Sequence, residues 1–154
     1  MAVSPGLAVP RHLQTIPGKL GLMVDWTNAM AIKPQPYFAV QPALAFGSVV
    51  LGWKCRTKYN NWSNLYFLNI GASACGKEPA KTVIEECLHA SGLARLIGAA
   101  EYTSDAAIDS LLLVKPTHIS ILDEFGLILA AANNKSSNNG ASARRRLVEV
   151  FGRA

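Results

Sequence analysis

Residues Gly71-Ala72-Ser73-Ala74-Cys75-Gly76-Lys77 satisfy the pattern G-x-x-x-x-G-K. The chemistry this spacing serves is phosphate binding. Two glycines let the backbone turn so that successive N–H groups point at phosphate oxygens, and the lysine brings a mobile cation to the β- and γ-phosphates. A helix starting at residue 78 would add its unpaired N–H groups and the positive end of its dipole. Loops of this kind usually follow the lysine with a Ser or Thr whose hydroxyl ligates Mg²⁺, whereas this chain has Glu78. Glu78 either offers a carboxylate to the metal or stands as an N-terminal acid that suits the helix dipole. The ordinary alternative for the whole stretch is a glycine-rich turn between two elements.

A second group lies further along the chain. "ISILDE", 119–124, is an apolar run that delivers Asp123 and Glu124 at its end. Ligands of parallel sheets collect at the carboxyl ends of strands. Such a sheet would bring Asp123 to Mg²⁺ and let Glu124 polarise an attacking water as general base. A strand that ends in solvated acids explains Asp123 and Glu124 equally well when they are taken alone. Taken with the loop, and in this order, they favour a nucleotide site built from Lys77 and Glu124 for catalysis, Gly71 to Glu78 for ATP, and Asp123 for the metal.

The elements that must position these residues follow from periodicity. Helices are expected over 19–32, over 37–52 with Ala39, Ala43 and Gly47 four apart, and over 78–91 with a Gly92 stop. Two more are expected over 104–115, capped by Ser104 or Asp105 and ended by Pro116, and over about 125–132. "LYFLNI", 65–70, and "HISILDEFG", 118–126, read as buried strands, with a third around 95–99. Residues 133–142 read as a polar loop and 143–154 as a basic helix. Strands alternating with helices predict an α/β fold: a P-loop NTPase-like parallel sheet flanked by helices, small and abbreviated, behind an N-terminal helical segment. The expected organisation is an arm and helices over 1–62, the nucleotide core over 63–132, and a polar loop with basic helix over 133–154.

Here the chain resembles a family. "NLYFLNIGASACGKEPAKTVIEECLHASGLARLIG", "YTSDAAIDSLL" and "PTHISILDEFGLIL" are similar to the P-loop ATPase-like domain of largely uncharacterised phage, prophage and plasmid proteins. These proteins are associated with primase modules and loosely grouped with helicases. The upstream "KPQPYFAVQPALAFGSVVLGWKCRTK" is similar too, and the likeness covers roughly residues 17 to 130. Members often carry Glu after the lysine, which makes Glu78 a variant of the loop. The resemblance implies phosphate contacts from Gly71, Gly76 and Lys77, and metal and water roles for Asp123 and Glu124. It also implies an ATP- and Mg²⁺-dependent role in DNA replication or unwinding, within a homo-oligomer or a larger primase–helicase assembly. Two features of such motors, a further strand with a polar sensor and an arginine reaching a neighbour's γ-phosphate, are not evident. Arg144, Arg145, Arg146 and Arg153 are the arginines available for that, and a basic solvent face is the simpler account of them. A non-catalytic nucleotide- or DNA-associated module is the competing expectation.

Composition bounds these readings. Half the residues are hydrophobic and 16% charged, which excludes a disordered chain, and the net charge of +5 suits an anionic partner. Cys55, Cys75 and Cys87 form no CxxC pair, and Pro5, Pro10, Arg11 and His12 interrupt any leader-like opening, so reduced thiols in a cytoplasm are expected. Residues 34–53 carry no charge, but Pro34, Pro36, Gln41 and Pro42 leave about half a membrane span, so a buried helix is expected there. In "KCRTKYNNW", Lys54, Arg56 and Lys58 alternate with Tyr59 and Trp62, a mixture that suits single-stranded DNA as well as an ordinary polar loop. His12, His89 and His118 lack metal-ligand spacing, and Cys75 reads as a small loop residue rather than a nucleophile.

Overall fold

Residues 10–72, 75–102, 104–123, 125–126, 130 and 138–152 are described in a computed structural model. The helices of the described residues include α1 (Lys19–Met30), α2 (Pro36–Leu51), α3 (Glu78–Ala90), α4 (Asp105–Val114) and α5 (Asn138–Gly152). They divide between two compact units. The first comprises Met1–Gly47 and Phe67–Glu86, the second Ser48–Tyr66 and Cys87–Ala154.

The expected parallel sheet is not formed. The described residues are mainly helical and contain no sheet. Two isolated bridges, Arg56 with Trp62 and Ile97 with Ile119, are the whole of the strand pairing among them. "LYFLNI" has strand-forming residues but forms no β-bridge, and it is not buried: Leu65, Tyr66, Leu68 and Ile70 are all at least half exposed. The run at 118–122 does meet 95–99, but only through one parallel bridge. Gly98 N–H donates to Ile119 O at 2.8 Å and Ile119 N–H to Leu96 O at 2.8 Å. A 3-10 turn at Ala94–Leu96 occupies the residues that would lengthen it. Apolar run and β-propensity are necessary for a strand, but the ladder needs a neighbour, and here the neighbours are helices or turns.

The helices obey local rules well. In the first unit, α1 stops ahead of Pro34 and α2 begins with Pro36 in its first turn, where a missing N–H costs nothing. Ala39 and Ala43 are 1% and 0% exposed, and Leu20 Cδ1 of α1 stands 3.2 Å from where a Cβ on Gly47 would lie. The small residues four apart therefore serve close packing, as their spacing suggests. Met23, Val24, Ala80, Val83 and Ile84 are buried with them, and buried Thr27 returns its hydroxyl to Met23 O at 2.7 Å. Trp26 and Met30, expected on the apolar face of α1, are instead exposed.

In the second unit, α3 ends in a Schellman closure. Gly92, at φ +67°, donates to His89 O and Leu93 donates to Leu88 O. Ser104 caps α4 by accepting from Ala107 N–H at 3.2 Å. α4 packs on α5 through Arg146, which holds Asp109 at 2.6 Å and Glu149 at 3.2 Å. Arg145 takes the other oxygen of Glu149, and the two arginines, Arg145 foremost, keep that carboxyl below its ordinary range. α5 begins at Asn138, so residues 138–142, expected as loop, are helical. Of the helix expected over 125–132, Phe125, Gly126 and Ala130 are helical and the rest lies outside the described residues. No helix among the described residues is long and apolar enough to cross a membrane.

Ala43→Leu should lower stability by about 1–3 kcal/mol, because the added carbons of a leucine have no space where the alanine methyl is already fully buried. A fall in the urea midpoint with unchanged slope would show it; an unchanged midpoint would mean this packing is loose.

Candidate functional site

The 71–77 loop belongs to the first unit, and its back wall is set by two glycines. Gly76 has φ +93°, a region that disfavours any side chain. A Cβ there would also stand 2.5 Å from Lys33 O in the α1–α2 connection. At Gly71, a Cβ would lie 2.5 Å from Cys75 Sγ and 3.2 Å from Phe38 Cζ of α2. Gly76 is thus required by its backbone and by close approach to a carbonyl, while the neighbours of Gly71 are side-chain ends, and the loop is pressed onto the residues that join and begin α2.

The loop closes on itself by hydrogen bonds. Cys75 N–H donates to Ala72 O at 3.3 Å, and Lys77 Nζ reaches back to donate to Gly71 O at 3.3 Å. The ammonium therefore lies across the loop against an oxygen acceptor. α3 starts at once with Glu78, followed by Pro79 in the first turn, and Ala80 N–H donates to Lys77 O. Glu78 is exposed at that helix start, where its charge opposes the positive dipole end. Gly71 and Ala72 are exposed, Cys75, Gly76 and Lys77 half-buried, and Ser73 and Ala74 lie outside the described residues.

The expected strand in front of this loop is absent, so the loop joins an unpaired segment to a helix, not a strand to a helix. The same correction reaches the acids. Asp123 is exposed and belongs to the second unit, while Glu124 lies outside the described residues. Without a sheet, the reasoning that set Asp123 and Glu124 at a strand's carboxyl end beside the phosphates loses its basis. The described residues contain no group of three His, Cys, Asp or Glu side chains able to hold a metal.

Other polar clusters have local work. Tyr102 Oη lies 2.6 Å from Ser120 Oγ and 3.3 Å from His118 Nε2, while His118 Nδ1 is 2.6 Å from Lys115 O. Gly98 makes room for this group, since a Cβ there would strike His118 and Ser120. Burial raises the Tyr102 pKa above 10.0, with the Ser120 hydrogen bond pulling the other way. This network was not legible from spacing, because its members come from two segments that are brought together beside the Ile97–Ile119 bridge. Arg145 and Arg146 are engaged by carboxylates of α4 and α5, and Arg153 lies outside the described residues.

Comparison with protein-family models, with curated proteins and with solved structures returns no match. The chemistry of the site is therefore argued from its own residues.

Gly76→Ala should lose at least about 1 kcal/mol from the left-handed backbone alone, with more from the Lys33 carbonyl. Chemical denaturation would read the loss. A variant as stable as the parent would mean the loop is not held in this conformation.

Proposed function

We propose that the chain is an ATP-binding module of a mobile-element protein that serves DNA replication, with the triphosphate held by the 71–77 loop. One observation supports this reading above the rest: Lys77 Nζ is already drawn across the loop onto an oxygen, with Gly76 backbone-constrained beside it and α3 beginning at the next residue. A phosphate oxygen offers that ammonium a charged acceptor in place of the neutral carbonyl. The N–H groups of Gly76 and of Glu78, the first residue of α3, would donate to the same phosphates. The residues present fit a triphosphate in type and order. Mg²⁺ would arrive on the phosphates, since such ions take most of their ligands from water and phosphate oxygens, and Glu78 is the nearest carboxylate in the chain to the lysine.

Binding without turnover is favoured over hydrolysis. The general base was assigned to Glu124 through a strand end, and the strand is not formed. The resemblance to primase- and helicase-associated proteins supports a place in a larger assembly. Three cysteines outside any disulfide suit the reducing cytoplasm in which such an assembly works.

Mg-ATP should raise the melting temperature of the protein in proportion to the logarithm of its concentration, and Lys77→Ala should abolish the rise. No stabilisation at saturating millimolar ATP, or an undiminished rise in Lys77→Ala, would remove the reading.

A further inference from the structure

The second unit carries a basic, aromatic hairpin that its own packing does not require. After α2 the chain turns at Gly52, where a Cβ would strike Thr117 Cγ2 at 2.7 Å, so glycine is fixed at 52. The left-handed residue that ends the helix is then Trp53, at φ +61°. A bulky residue in that region is strained, and strain of this kind persists where surroundings or function require it. The indole gains no burial for it: Trp53 is 72% exposed.

The rest of the hairpin is built to hold. Arg56 pairs with Trp62 in an antiparallel bridge, and Thr57 N–H donates to Asn61 O at 3.0 Å. Thr57 Oγ1 accepts from Tyr59 and Asn61 N–H, Asn60 takes φ +64°, and Arg56 donates to Asn60 Oδ1 at 2.9 Å. At the base, Ser48 and Ser63 exchange side-chain to backbone hydrogen bonds.

This frame presents rings and cations together. The Trp53 and Trp62 rings lie 6.2 Å apart at 35°, Arg56 stands 5.9 Å from the Trp62 ring, and Lys58 lies 4.9 Å from the ring of Tyr59, itself 75% exposed. Lys54, Arg56 and Lys58 have no carboxylate partner among the described residues, and no acid occurs in the sequence between Asp25 and Glu78.

We infer that the 52–62 hairpin binds single-stranded polynucleotide, with bases stacked on Trp53 and Tyr59 and phosphates met by Lys54, Arg56 and Lys58. Alternating rings and cations match the alternating bases and phosphates of an unpaired strand, whereas a duplex hides its base faces. The tip runs Thr57-Lys58-Tyr59-Asn60-Asn61 and holds no aliphatic residue of the kind that wedges into a lipid surface. The inference is independent of the nucleotide reading, because none of its residues belongs to the 71–77 loop.

Fluorescence anisotropy of labelled oligo(dT) and oligo(rU), titrated with the full chain at several salt concentrations, tests it. The parent should bind with log affinity falling against log salt at a slope of about −2, the value for three phosphates on a single strand. Trp53→Gly relieves the backbone and removes the ring. It should hold or raise the melting temperature while weakening binding roughly tenfold. Lys54→Gln with Lys58→Gln should flatten the slope to about −0.7. Lys77→Ala should leave oligonucleotide binding unchanged. Binding by Trp53→Gly equal to the parent, a slope unchanged in the double variant, or binding to phosphatidylserine vesicles with none to either oligonucleotide would overturn the inference.

Discussion

The contact of Gly76 with the Lys33 carbonyl is the constraint on which the first unit's site depends. With no side chain at 76, the loop backbone lies directly on the α1–α2 connection, and its positive φ turns the chain into the first residue of α3. That turn sets where Lys77 begins and lets its ammonium return to Gly71 O. Add one methyl group and the loop must leave the connection, carrying the lysine and the open helix start with it. A phosphate-binding geometry and a packing requirement are thus satisfied by the same glycine.

Backbone hydrogen bonding explains why the architecture is helical although its sequence alternates strand-like and helix-like segments. A helix satisfies its own N–H and C=O groups, so α1 to α4 form from periodicity, caps and stops alone. A strand cannot do so. Residues 65–70 have the composition of a buried strand, yet they form no strand ladder and leave large side chains exposed. Segments 95–99 and 118–122 find each other for one bridge before the Ala94–Leu96 turn and the Tyr102–Ser120–His118 network take over.

What the sequence made legible follows the same division. The Ser104 cap, the Gly92 stop and the Ala39-Ala43-Gly47 stripe are each decided within a few residues, and each appears as read. The sheet is a long-range decision, and local β-propensity misjudged it. The polar character of 133–142 likewise concealed the helix start at Asn138, because propensity there is weak and the pairing of Arg146 with Asp109 comes from another element. For the site, the order of glycines and lysine was readable. The role of Lys33 O and Phe38 as the loop's support was not, since backbone carbonyls and packing partners leave no motif. The placement of Asp123 and Glu124 rested on the sheet and loses that support with it.

The two units present complementary features: a glycine–lysine loop shaped for phosphates in one, and an exposed basic–aromatic hairpin in the other. The central claim concerns the loop, and amide chemical shifts test it most directly. In ¹⁵N-labelled protein titrated with Mg-ATP, and in parallel with adenosine, the resonances of Gly71, Gly76, Lys77 and Glu78 should move with ATP and stay in place with the nucleoside. Resonances unmoved at millimolar ATP, or displaced only elsewhere in the chain, would contradict the account.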